Sequence, residues 1–167
     1  MKLTLKEMAV FAVLGAMMYA SKIVMDVLPN IHLLGVFISA ITIVYRQKAL
    51  WPLYIFVFLT GLLNGFSLWW IPYLYIWAVL WLAVFLLPDH SSPLVYMIVC
   101  GLHGLLYGTL YAPAQALLFG LDFRGMLAWI AAGLPFDAIH GVSNFICGML
   151  IVPLANILRK LNGSVAG

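Results

Sequence analysis

Apolar stretches long enough to cross a bilayer follow one another from Thr4 to Leu158, separated only by short polar breaks. A spanning helix needs roughly 20 apolar residues at 1.5 Å each, because inside lipid every backbone N–H and C=O must be satisfied within the segment. Composition agrees: 66% of the 167 residues are hydrophobic and 8% are charged, against roughly a quarter charged in soluble domains. A soluble fold of this size cannot keep so much apolar surface out of water. The expected class is therefore an all-α integral membrane protein, one membrane domain over 1–167 without a soluble domain. Met1 to Glu7 is polar, but the full-length apolar stretch after it lacks a cleavage site, so no removable signal peptide is expected.

Six transmembrane helices are expected, at about 4–28, 32–45, 49–66, 73–87, 94–118 and 135–158. The breaks are Pro29-Asn30, Arg46-Gln47-Lys48, Ser67 to Pro72, and Pro88 to Pro93 with His90 inside it. The second segment is short enough to be interfacial or re-entrant. Pro113 removes a backbone donor and predicts a bend in the fifth. Gly120 to Gly125 reads as a loop, Met126 to Ala132 as a turn or two of interfacial helix, and Pro135 as the first residue of the sixth helix. With six spans, Lys2, Lys6, Arg46, Lys48, Arg159 and Lys160 fall on one side and Arg124 on the other. The positive-inside rule then makes both termini cytoplasmic. Trp69, Trp70, Tyr73 and Tyr75 cluster at the outer interface.

Polar groups within such helices are costly and mark either function or a buried pair. His103, Tyr107, Tyr111 and Gln115 recur at four-residue spacing and form one stripe. Gly104, Gly108 and Ala112 form a small-residue series on another surface of the same helix, suited to close packing. The stripe reads as ligand contact, or alternatively as a carbonyl-donating His103 with tyrosines filling the core. Asp137, His140 and Asn144 share a face of the sixth helix. If Pro135 opens that helix, Asp137 lies in its first turn, where the dipole favours a carboxylate, and capping or a local pair with His140 competes with ligand binding. Asn144 is deeper and has no capping role. Lys22 and Asp26, four apart, read as a mutual ion pair or as snorkelling to the interface, and not as substrate contacts. Asn64 is either a helix C-terminal signal or a pocket residue, and Trp69 either a belt anchor or a stacking platform.

The chain carries no Walker A loop, no His-Glu-x-x-His and no nucleophile elbow, so no catalytic residue, metal centre or cofactor is expected. The net charge of +3 is dispersed at segment ends, which points to topology and away from nucleic acid. Cys100 and Cys147 lie far apart in apolar segments and read as free thiols.

With six helices in a chain this short, the sequence resembles the substrate-binding S component of an energy-coupling factor (ECF) transporter. The most specific likeness is Ala12-Val-Leu-Gly-Ala16-Met-Met-Tyr-Ala20, which matches the family's Ala-x-x-x-Ala motif twice. The resemblance implies an S-component-like bundle in a bacterial or archaeal plasma membrane. It also implies docking through Ala12, Ala16 and Ala20 on a transmembrane coupling protein driven by two ABC ATPases. It implies an outward-opening pocket lined by later helices and outer loops, where Asn64, Trp69, Tyr111, Gln115, Asp137, His140 and Asn144 fall. Few cations among His, Tyr, Asn, Gln and Trp suit a neutral or weakly basic heteroaromatic vitamin or precursor, pyridoxine-like or pyrimidine-like. The alternatives are a self-sufficient small-solute permease or channel, and a haem-binding membrane subunit built on His103 and His140.

Overall fold

The computed structural model describes residues 3–89 and 91–164; Lys2 and His90, named above, lie outside them. Every regular element among the described residues is helical. Helix α1 (Leu5–Met25) opens with a capping box. The Thr4 hydroxyl accepts the Glu7 N–H at 3.2 Å, and the Glu7 carboxylate accepts the Thr4 N–H at 3.0 Å. Helix α2 (Leu34–Tyr45) runs into a 3-10 turn at Arg46–Ala49, and α3 (Leu50–Asn64) ends at Gly65, whose φ of 91° suits only glycine. A second 3-10 turn, Leu68–Trp70, leads to α4 (Tyr73–Phe85). Helix α5 (Pro93–Leu105) starts on a proline, and α6 (Tyr107–Phe119) continues it after one irregular residue. Helix α7 (Phe123–Cys147) passes through the 3-10 turn Gly148–Leu150 into α8 (Ile151–Ser164).

Four stretches are long and apolar enough to cross a membrane: Leu5–Met25, Leu68–Phe85, Pro93–Phe119 and Phe123–Asn162. Helices α2 and α3, roughly 18 and 22 Å long at 1.5 Å per residue, are shorter. Position explains how α2 can be. Nearly all of it from Leu34 to Thr42 is buried, packed mainly between α4 and α8. A helix enclosed by protein does not have to match the lipid thickness. Around it lies the core, with Phe11, Met18, Phe56 and Trp77 almost wholly excluded from solvent.

One end of the bundle collects the charges. Lys48 pairs with Glu7, and Arg46 reaches Asp89 at 3.4 Å while donating to the Phe85 carbonyl at 2.6 Å. The start of α1, the Arg46 turn and the turn after α4 therefore sit together. At the opposite end the Lys22 ammonium pairs with Asp26 at 3.1 Å.

Helices α5 and α7 run antiparallel along a glycine seam. A Cβ on Gly104 would lie 2.7 Å from the His140 carbonyl oxygen, and one on Gly101 would lie 2.9 Å from the Phe145 Cβ. Such approach without a side chain is what small residues permit between membrane helices.

Three expectations need correction here. The last long helix begins at Phe123, not Pro135, because the Asp122 carboxylate caps it by accepting the Gly125 N–H at 2.7 Å. The loop therefore shrinks, Met126 to Ala132 is continuous helix, and Pro135 lies in the interior, where prolines are tolerated in membrane helices. Asp137 is consequently mid-helix and caps nothing on α7. Finally, the fifth segment breaks at Leu106, with Pro113 inside α6. The Gly108 N–H leaves the helix ladder and donates to the Asp137 carboxylate, at 3.0 and 3.1 Å. A side chain inserted into the hydrogen-bond ladder is a recognised cause of a kink.

Candidate functional site

At the end opposite Arg46 and Lys48, a cavity of about 270 Å³ opens between α1, α4, α6 and α7. The segment from Met25 to Leu34 arches over it. Lys22 and Asp26 stand at its rim, held to each other. Its inner surface is mostly ring: Tyr73 and Trp77 from α4, Tyr107 from α6, His140 from α7 and His32 from the arch.

These rings brace each other in largely edge-to-face or tilted contacts, the geometry the ring quadrupole favours. Tyr73 and Trp77 have centroids 5.7 Å apart, Trp77 and Tyr107 5.6 Å, and Tyr107 and His140 4.9 Å. The His140 Nε2 lies 2.6 Å from the His32 Nε2, so one imidazole donates and the other accepts. The Ser143 hydroxyl donates to the Asn30 carbonyl at 3.0 Å, a second tie between arch and α7. Asn30 takes a left-handed φ of 59°, which asparagine tolerates better than most residues.

Around and beneath this wall, several buried polar atoms have no hydrogen-bond partner among the described residues. They are the His32 Nδ1, the Trp77 Nε1, the His103 Nδ1 and both amide atoms of Asn144. A buried polar group left without a partner costs on the order of 1–3 kcal/mol. Several in one neighbourhood mark a place suited to hydrogen-bonding something polar.

The expected site residues divide clearly. Tyr107 and His140 line the cavity. Asn144, 1% exposed, lies one turn deeper on α7. His103 takes the carbonyl-donor role, its Nε2–H pointing to the Ile76 oxygen at 3.0 Å, with its ring tilted on Trp77. Asp137 is committed to Gly108. Tyr111 stacks on Trp129 and donates to the Trp69 carbonyl at 2.8 Å, while the Trp69 ring meets Tyr73 edge-on. These residues support the wall from outside. Asn64 does not join them: it is exposed and accepts from the Tyr19 hydroxyl at 2.7 Å. Gln115 is half-buried on α6 and does not line the cavity. Lys22 and Asp26, expected to pair or to snorkel to the interface, form the pair and also stand at the rim.

Sequence reasoning missed His32, Tyr73 and Trp77 as site residues. The signal was present. Trp69, Tyr73 and Trp77 recur every four residues, as do His103, Tyr107 and Tyr111, and the two stripes face each other. Ala12, Ala16 and Ala20 are exposed on α1, turned away from the Phe11, Leu14, Gly15 and Met18 face that packs inward. Compared with family models, curated proteins and solved structures, the chain matches none of them.

Proposed function

We propose that this chain is the substrate-capture subunit of an ECF-type importer. It binds a small heteroaromatic vitamin or precursor from outside and delivers it through a separate coupling protein and two ATPases. The observation that carries this reading is the ring-walled cavity at the cation-poor end, with unpartnered polar atoms around its base. Its volume lies near the lower end for ligand pockets, roughly 300–1,000 Å³. The rim charges cancel within one ion pair, which favours a neutral or weakly basic ligand over an anion, which would call for an arginine fork.

A self-sufficient channel would need a polar path to the other end. Below the cavity instead lies the apolar packing of Phe11, Leu14, Ile41, Leu53 and Val84. A haem subunit would need His103 and His140 for iron, and each is already engaged, with a carbonyl and with His32.

The proposal includes six passes, with both termini and the Arg46–Lys48 turn cytoplasmic. In a cysteine-free background, a membrane-impermeant thiol reagent applied to intact cells should label a cysteine at Ser67 and spare one at Gln47. Labelling at Gln47 would overturn the orientation.

The functional test couples binding to transport. Mass spectrometry of the purified chain should find one small heteroaromatic molecule per chain. Ala16→Trp should leave that ligand bound while abolishing uptake by the assembled transporter, because the alanine strip points away from the cavity. Loss of both together would mean that the strip is ordinary packing.

A further inference from the structure

Six buried side-chain polar atoms have no hydrogen-bond partner among the described residues, and four of them have fixed roles. The Trp77 Nε1–H can only donate. The His103 Nε2–H is given to the Ile76 carbonyl at 3.0 Å, so the neutral ring keeps a lone pair on Nδ1 and accepts there. Asn144 offers both roles at once, Nδ2 donating and Oδ1 accepting. Both ends are free, so exchanging them leaves the set unchanged. The other two, the His32 Nδ1 and the Ser39 hydroxyl, serve either way and select nothing.

Asn144 sits where α7 meets α5 and α2. A Cβ on Gly104 of α5 would come 2.8 Å from its Nδ2, and one on Gly35 of α2 would come 3.8 Å from it. Neither neighbour presents a side chain to the amide. His103 directly precedes Gly104. Leu34, which precedes Gly35, lines the ring-walled cavity together with Trp77 and His140, the latter one turn before Asn144. The amide therefore lies just beneath the cavity floor. We propose that the captured molecule is an amino-substituted pyrimidine, read by Asn144 through two parallel hydrogen bonds. This rests on the capture reading above and names the ligand's chemistry. The amine and the adjacent ring nitrogen of such a molecule form a donor–acceptor edge, which a carboxamide matches as asparagine matches adenine. The donor and acceptor inventory selects it further. An exocyclic amine has two N–H groups for the two fixed acceptors, the Asn144 Oδ1 and the His103 Nδ1. The two ring nitrogens accept from the Asn144 Nδ2 and the Trp77 Nε1. A lactam, with one N–H, would leave one buried acceptor bare, and a carboxylate would turn lone pairs onto both, each a costly mismatch away from water.

The test titrates the full chain, purified in detergent, with two probes that differ at one position. The parent should bind 4-aminopyrimidine at least about tenfold more tightly than 4-methylpyrimidine, whose methyl leaves the buried acceptors unmatched. Asn144→Leu, close in size, should cut that preference to about twofold while leaving affinity for the methyl probe unchanged. His103→Phe should also lower the preference, a second readout should Asn144→Leu fail to fold. Asn144→Asp replaces the amide donor by an acceptor and should shift selectivity toward benzamidine, whose edge carries donors only. An asparagine with a merely structural role would give no such shift. Equal affinity of the parent for the two pyrimidines would overturn the proposal, as would a preference unchanged in both Asn144→Leu and His103→Phe. Either result leaves the capture reading standing, which fails separately if no small molecule copurifies with the chain.

Discussion

Gly104→Val should lower the stability of the purified protein by about 3 kcal/mol or more, seen as a large drop in detergent melting temperature. Inserting methyl groups into a packed core ordinarily costs about 1–3 kcal/mol. At this position the new Cβ meets the His140 backbone oxygen at 2.7 Å and the Asn144 Nδ2 at 2.8 Å. The Asn144 amide is a side-chain end, but the His140 carbonyl is backbone and cannot swing aside, so α5 and α7 must separate. Gly133→Val is the control, since nothing lies within 4 Å of a Cβ there and it sits inside α7, the other helix of the pair. Equal losses in the two variants would mean that the glycine seam is not a close-packed contact.

The second large effect concerns the cavity. With the copurified molecule, or a heteroaromatic vitamin that raises the melting temperature of the parent, His140→Ala and Asn144→Ala should each weaken binding about tenfold or more. A hydrogen bond is worth roughly 0.5–1.5 kcal/mol net, and more where a buried partner is stranded; tenfold corresponds to about 1.4 kcal/mol. Trp77→Phe keeps most of the ring wall and removes the indole N–H, so it isolates a single donor. Gln115→Ala and Asn64→Ala should be nearly silent, because neither residue lines the cavity. If those two weaken binding and His140→Ala does not, the ligand lies nearer the α3 and α6 ends than the cavity described above.

The helical class was legible because backbone satisfaction in lipid leaves little choice once apolar runs are long. The segment boundaries were legible where a charge or a left-handed residue interrupts them, as at Arg46 and Gly65. They were misread where proline was taken as punctuation. Pro135 is helix interior and opens nothing; Pro113 is interior as expected, but the break falls at Leu106 instead and follows from Asp137, a residue on a different helix. No local pattern reports a carboxylate that competes for a backbone N–H across a helix pair. The site was half legible for a related reason. The His103–Tyr107–Tyr111 stripe was visible as period four on one segment, and Asn144 as a polar residue without a capping role. His32 carries no period at all, since it sits in an irregular arch and meets His140 only through the tertiary fold.

The carboxylate at Asp137 also bears on how the chain enters the membrane. An isolated α7 emerging into lipid would carry a lone acidic group at mid-helix, and such groups are among the costliest to leave there. Its partner, the Gly108 N–H, belongs to the helix made just before it. The bond to Gly108 offsets part of that cost, so α7 is more stable in lipid with α5 and α6 alongside than it would be alone. The bend at Leu106 thus leaves one backbone donor for a residue of another helix, and the pair of helices carries a polar tie that neither could satisfy alone.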